Sequence, residues 1–187
     1  MEYVVPIKDI SKINDMKNIL EKSSLRDYLL FVIGINTGLN PQDLLFLKVE
    51  DVWNGENIKE FLHIVDTKTG DTKLHYLNNQ VYKALNKYVK SNKINQSDYL
   101  FKSTRNEKPI TRQQAYRIIK SAAVQAGVEG NTGLHTMRKT FGYHAYRKGV
   151  AISILMNMFH HNSRQETLKY IGITEEEKNL VKVDVNL

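Results

Sequence analysis

Five polar side chains in this sequence are of types that can act together on an anion: Lys68, His135, Arg138, His161 and Tyr170. An arginine presents a planar fork of donors that meets two oxygens at once. An ammonium and two imidazoles add positive charge and carry protons. A phenol has an ordinary pKa of about 10, so at neutral pH it is mostly protonated and a poor nucleophile. Such a set suits phosphoryl transfer, where positioning and countering charge on the phosphate oxygens do most of the work. Each residue also has an ordinary explanation taken alone. Lys68 reads as a solvated turn residue, either histidine as a satisfied structural group, and Tyr170 as the core face of an amphipathic helix. The adjacent pair His160 and His161 raises the question of a metal. No third ligand stands at helical or hairpin spacing and the chain has no cysteine, so no metal is expected.

The elements that must position these groups follow from local signals. Residues 8–21 have helical apolar spacing. Ser24, with Asp27 three places on, opens a helix whose run from Tyr28 to Ile35 is nearly all apolar, so this helix is the expected buried centre. Gly38 ends it, Asn40 caps a short helix, Pro41 takes the first turn, and Asp43 meets the orphan N–H groups. The stretches LKVEDVW, FLHIVD and KLHYL are short, β-branched or aromatic and partly alternating, which predicts a small three-stranded antiparallel sheet. The turn TKTGD, carrying Lys68, joins the second strand to the third. Helical spacing returns after Asn78. Thr111 with Gln114 opens another helix, with Ala115, Ile118, Ile119, Ala122 and Ala126 on one face and Arg112, Tyr116 and Lys120 on another, Arg117 beside them. Helices are expected over 134–148 and 151–159, and capping boxes at Ser163 and Thr174 open two short final ones. The expected fold is mainly α with a small antiparallel sheet, an α+β domain over residues 1–187.

The net charge is +7 over 187 residues, and its distribution says more than its size. Residues 102–148 hold ten basic residues against two acidic ones, whereas the remainder holds 17 against 18. A contiguous excess of this kind is the footprint of a polyanion partner, with a solvated basic face as the plainer reading. No run reaches the roughly 18 apolar residues of a membrane span, and the N-terminus lacks the apolar run of a secretion signal. A cytoplasmic protein is expected.

Four stretches carry a resemblance: TGLNPQDLLFLKVEDV (37–52), TKTGDTKLHYL (67–77), LHTMRKTFGYHAYRKGV (134–150) and MFHHNSRQETLKYIG (158–172). In this order they resemble the catalytic domain of the tyrosine recombinases, the phage-integrase family. That family carries TGLR-x-x-E/D-LL-x-L, a hairpin lysine in an SKTG-like turn, H-x-x-R-H-T, and LGHSS-x-x-TT-x-x-Y. The nine-residue step from His161 to Tyr170 matches. The resemblance implies Tyr170 as the nucleophile toward a DNA phosphate, giving a 3′-phosphotyrosyl link. It implies Lys68 as the general acid, Arg138 as a phosphate clamp, and His135 and His161 as helpers that move protons. Double-stranded DNA is the implied partner, with Arg112, Arg117, Lys120 and Lys139 as expected DNA contacts and no cofactor. Self-association as a tetramer on DNA, through residues 174–187, is also implied.

Two departures stand against the pattern. Asn40 occupies the place of the family's first clamp arginine. It offers one neutral hydrogen bond where the family has a charged fork, a loss that costs about 10²–10³ in rate for a comparable donor. Lys139 takes the place of the histidine that usually follows the second arginine. The match also begins at the catalytic domain, without the N-terminal DNA-gripping domain of typical members. The expected function is therefore a site-specific recombinase or integrase catalytic domain, with activity in doubt at Asn40. The alternative is a catalytically degenerate relative that binds DNA as a repressor or accessory factor.

Overall fold

The computed structural model of the chain describes residues 4–65, 70–92 and 94–178. Among the described residues twelve elements follow in order: α1 (Ile10–Ser23), α2 (Leu25–Thr37), α3 (Pro41–Leu45), α4 (Val49–Val52), β1 (Phe61–Val65), β2 (Thr72–Tyr76), α5 (Asn79–Ser91), α6 (Arg112–Gln125), α7 (Leu134–Arg147), α8 (Ile152–Phe159), α9 (Arg164–Tyr170) and α10 (Glu175–Lys178).

The capping signals of the sequence set the helix ends. Ser24 caps α2 by accepting from the Asp27 N–H. Thr111 and Gln114 close a reciprocal capping box on α6, and Ser163 accepts from the Glu166 N–H at the start of α9. The apolar run of α2 is buried on nearly every side, with Leu29, Leu30, Phe31 and Ile33 fully enclosed. Contacts with α1, α5 and α7 surround it. Gly38 ends it in the left-handed region at φ 64°. A Cβ there would also run into the Phe141 ring at 2.3 Å, so the position needs glycine twice over.

The sheet differs from expectation. Among the described residues it has two strands, β1 and β2, paired antiparallel with Leu62 opposite His75 and Ile64 opposite Lys73. The stretch expected as the first strand folds as the single turn α4. Val49 and Val52 lie one helical turn apart and are both fully buried. The Asp51 carboxylate accepts the Lys48 N–H at 2.7 Å, and Glu50 and Asp51 favour the positive end of the turn. Burial at three-residue spacing and a local cap outweighed β-branched composition. Only isolated bridges, Lys48 to Tyr99 and Trp53 to Ile58, remain of strand pairing there.

Two apolar clusters make up the interior. The larger is built from α1 to α6 with the start of α7, and includes Leu62 of the hairpin. The smaller comprises Tyr143, Ala145, Leu155, Phe159, Leu168, Ile171 and Ile173. Helix α7 belongs to both. Among the described residues no helix is long and apolar enough to cross a membrane.

Candidate active site

A cleft of about 720 Å³ opens where the two clusters meet. Its lining comes from the α2–α3 corner, the hairpin, α7, the end of α8 and the end of α9. His135 and Arg138 are three residues apart on α7, hence on one face. Both line the cleft, together with His161, Tyr170 and Asn40. Lys68 belongs to residues 66–69, outside the described residues.

Arg138 is 8% exposed. Its Nη1 donates to the Gly38 carbonyl and its Nη2 to the Met158 carbonyl at 2.9 Å. Its guanidinium carbon lies 4.7 Å from the centre of the Phe159 ring. Two carbonyls from different parts of the chain thus orient the fork, while a guanidinium has five N–H donors in all. Burial pulls its pKa down; the Tyr170 phenol and the Asp43 carboxylate oppose that shift. It remains a cation, since guanidinium does not deprotonate in proteins.

Tyr170 is partly buried against the Phe159 ring, with centroids 5.3 Å apart, and its ring meets His161 edge-on at 4.9 Å. Burial pushes the phenol pKa up. Arg138 pulls it back through its charge and a side-chain hydrogen bond, and the net direction is upward. Gly142 makes this seat possible. A Cβ at Gly142 would lie 2.5 Å from Ile171 Cγ2 and 2.8 Å from the Phe159 ring, so only a bare backbone lets the end of α9 press onto α7.

The neighbours of His161 favour one tautomer. Its Nδ1 is 3.0 Å from Thr167 Oγ1, and that hydroxyl donates its one hydrogen to the Ser163 carbonyl at 3.2 Å. With that hydrogen on the Ser163 carbonyl, Nδ1 carries the proton and Nε2 is the basic nitrogen. Burial lowers the pKa of His161. His135 is lowered as well, first by burial and then by the charges of Arg112, Arg138 and Lys139.

Three further residues of the cleft escaped the reading of the sequence: Lys73, His75 and His160, the last considered only as a metal ligand. His75 is buried and donates from Nδ1 to the Thr37 carbonyl at 3.1 Å, with its pKa pushed down by burial. Lys73 Nζ lies 2.8 Å from His160 Nε2 and 3.4 Å from the Asn157 carbonyl. The available signal was the alternation in KLHYL, which points Lys73 and His75 to the same side of the strand. Among the described residues, no group of three or more His, Asp or Glu side chains is placed to hold a metal ion.

Lys139 requires correction as a DNA contact. It is 5% exposed, donates to the Val4 carbonyl at 2.7 Å and sits 5.1 Å from the centre of the Tyr170 ring. Its helix is buried on two sides, so the residue after Arg138 points into packing. Arg112 and Arg117 are exposed, and Arg112 lies near enough to depress the pKa of His135. Lys120 is half-buried and bonds Asn131 Oδ1 at 3.0 Å. Asn40 spends its side-chain oxygen on the Gln42 N–H at 3.0 Å, as the cap of α3.

Residues 4–177 match the model of the phage integrase family. The chain belongs to the phage integrase family. Across 176 residues, 94% of this chain and 93% of its relative, it is 41% identical to the "Probable integrase/recombinase YoeC" of Bacillus subtilis. It is 28% identical over 174 residues to a tyrosine recombinase of Pseudothermotoga lettingae, 92% of this chain and 59% of that one. The integrase domain superimposes on the crystal structure of XerA recombinase with a TM-score of 0.75 at 20% identity, over 95% of this chain and 62% of that one. XerH recombinase bound to its palindromic difH substrate gives 0.73 at 15%, over 96% and 52%. The fold is thus that of a tyrosine recombinase catalytic domain, and it spans a little over half the length of most of these relatives.

Proposed function

We propose that this integrase domain binds duplex DNA through its basic stretch 102–148 and cuts and rejoins one strand at a time. Tyr170 Oη attacks a backbone phosphorus. The Tyr–O–P bond forms as the P–O5′ bond breaks, leaving a 3′-phosphotyrosine and a free 5′ hydroxyl. The phenol proton passes to His161, whose Nε2 holds the open lone pair. The departing 5′ oxygen takes its proton from Lys68. Arg138 and His135 counter the charge on the non-bridging oxygens. The 5′ hydroxyl of a second strand reverses the step, so bond energy is conserved without metal or nucleotide. One observation carries this reading: four residues spread from 135 to 170 line a single cleft, with the phenol beside a guanidinium. The relatives are named as integrases and tyrosine recombinases, and XerH was solved on DNA, which supports the same assignment.

Self-association on DNA through residues 174–187 belongs to the same proposal, as does a cytoplasmic site of action. The described part of that segment, 174–178, is held on its own domain by Glu177, which bonds Lys8 and Tyr143 at 2.8 Å.

A second reading, DNA binding without cleavage, is favoured by Asn40, whose side chain serves its own helix. Duplexes nicked beside the cleaved position, drawn from a randomised library, separate the two. Wild type is expected to give a covalent protein–DNA band that Tyr170→Phe lacks, with binding retained. Binding without a band, in wild type and in Asn40→Arg alike, establishes the second reading instead.

A further inference from the structure

The hairpin wall of the cleft carries an arrangement that the mechanism above does not use. Lys73 stands on the inner face of β2, opposite Ile64 and two positions before His75. Its ammonium reaches across 87 residues of sequence to His160, with Nζ 2.8 Å from Nε2. An ammonium has no lone pair, so Nζ donates and His160 Nε2 accepts. His160 is the C-cap of α8 and holds φ 60° and ψ 43°. It is the one non-glycine residue at positive φ among the described residues. That conformation is strained for a side-chain-bearing residue, and glycine would hold it without strain. A histidine kept at such a position invites a role for its side chain.

Both partners line the same cleft as Arg138 and Asn40. Arg138 enters from α7, with its orientation set by the Gly38 and Met158 carbonyls. Lys73 enters from the hairpin, tied to the end of α8 that also supplies Met158. The two cations therefore reach the cleft from different elements. Asn40, with its side-chain oxygen committed to the Gln42 N–H, adds no charge between them.

We propose that Lys73, positioned by His160, makes the second cationic contact to a phosphate held in this cleft, the contact that Asn40 does not supply. The proposal rests on the phosphate-binding reading of the cleft. His160 acts as a positioning residue: its imidazole fixes an otherwise flexible four-carbon stem, so less side-chain entropy is lost when the phosphate arrives.

The test uses the full chain and two readouts. The first follows the histidine imidazole resonances by NMR as inorganic phosphate is added; the second is the covalent band on nicked duplexes. Lys73→Met keeps the apolar stem and removes the charge. It is expected to weaken phosphate binding at least about tenfold, the weight of one charge-assisted hydrogen bond. The covalent band should fall about 10²–10³-fold, with the melting temperature unchanged. Asn40→Arg placed in the Lys73→Met background should restore both. His160→Gly relieves the backbone and removes the acceptor, and should weaken phosphate binding severalfold while leaving the fold as stable or more so. Phosphate affinity unaltered in Lys73→Met overturns the proposal, even where the wild type cleaves DNA. Lys73-dependent phosphate binding in a protein that forms no covalent band upholds it and removes the cleavage reading instead. Phosphate affinity unaltered in His160→Gly overturns the positioning role.

Discussion

The two apolar clusters that meet at the cleft are unequal, and they divide the chemistry between them. The larger roots Asn40, His75 and Arg138 through α2, the hairpin and the N-terminal half of α7. The smaller, seven buried residues in all, seats His161 and Tyr170. Groups that would bind an anion thus stand on the part of the molecule with the deeper core. The phenol that would react stands on the part with less to hold it. Local stability follows buried apolar contact, so the smaller cluster is the half that opens at lower cost. A tyrosine able to form and then leave a covalent bond is better served by that half than by the centre of α2.

The largest expected effect falls on the side of the larger cluster. Arg138→Ala removes the oriented guanidinium and leaves the Gly38 and Met158 carbonyls without their donor. Covalent product should fall about 10²–10³-fold or more. Stability should drop by about 1–3 kcal/mol for each carbonyl left unsatisfied, read by urea denaturation. Full stability in that variant would mean that the two carbonyls find water, and that the cleft floor is less enclosed than its packing implies.

A paired substitution sharpens the comparison further. Gly34 and Gly142 are both helical glycines at close crossings, but their neighbours differ. A Cβ at Gly34 meets Met137, with Sδ at 2.6 Å and the backbone-anchored Cβ at 3.1 Å, whereas one at Gly142 meets Ile171 and the Phe159 ring. The Met137 thioether can swing aside, leaving its Cβ to give by a few tenths of an ångström; a β-branched isoleucine and a packed ring have no such freedom. Gly34→Ala should cost less than Gly142→Ala, because the helix propensity gained, about 1 kcal/mol, offsets much of the shift of Met137. Gly142→Ala should lose about 1–2 kcal/mol net of that gain. The corresponding melting temperature is about 2–8 °C lower. Its covalent band should fall by more than its stability, because Ile171 follows Tyr170 directly. Equal losses in the two variants would abolish the distinction between the clusters.

How far the sequence could be read follows the same divide between local and distant causes. Caps at Ser24, Asn40, Thr111, Ser163 and Thr174 are local chemistry, and each is where the sequence placed it. The order of motifs marked His135, Arg138, His161 and Tyr170 before any geometry. The stretch LKVEDVW misled because β-branched residues also fill a buried helical turn, and nothing in the stretch shows which surface it meets. Lys139 misled for the converse reason. A lysine beside Arg138 reads as surface charge unless both flanks of α7 are known to be covered. Lys73 and His75 looked like ordinary strand residues, since what gives them meaning is contact with His160 and Thr37, far along the chain.

The smallest effect concerns the rim of the lesser cluster. Glu177 accepts from Lys8 Nζ and from the Tyr143 hydroxyl, each at 2.8 Å, and from the Thr174 N–H at 2.9 Å. Burial alone would raise its pKa, but these three donors overcome that and hold the carboxyl at about 2. A carboxyl depressed in the folded state stabilises above its unfolded value, here 4.5, and loses that contribution as pH falls toward about 2. Glu177→Gln should therefore melt about 1–3 °C below wild type at neutral pH, since a partly exposed ion pair is worth little. The two melting curves should converge as the pH approaches the folded value. The clasp fastens residues just beyond Tyr170 to Lys8 and to Tyr143 on α7, so its loss should loosen α9 before it touches α2. Amide exchange at neutral pH tests that order: α9 amides should speed up in Glu177→Gln while α2 amides keep the wild-type rate. Uniform acceleration in both helices would mean that the two clusters open together, and that the molecule has one cooperative core instead of two.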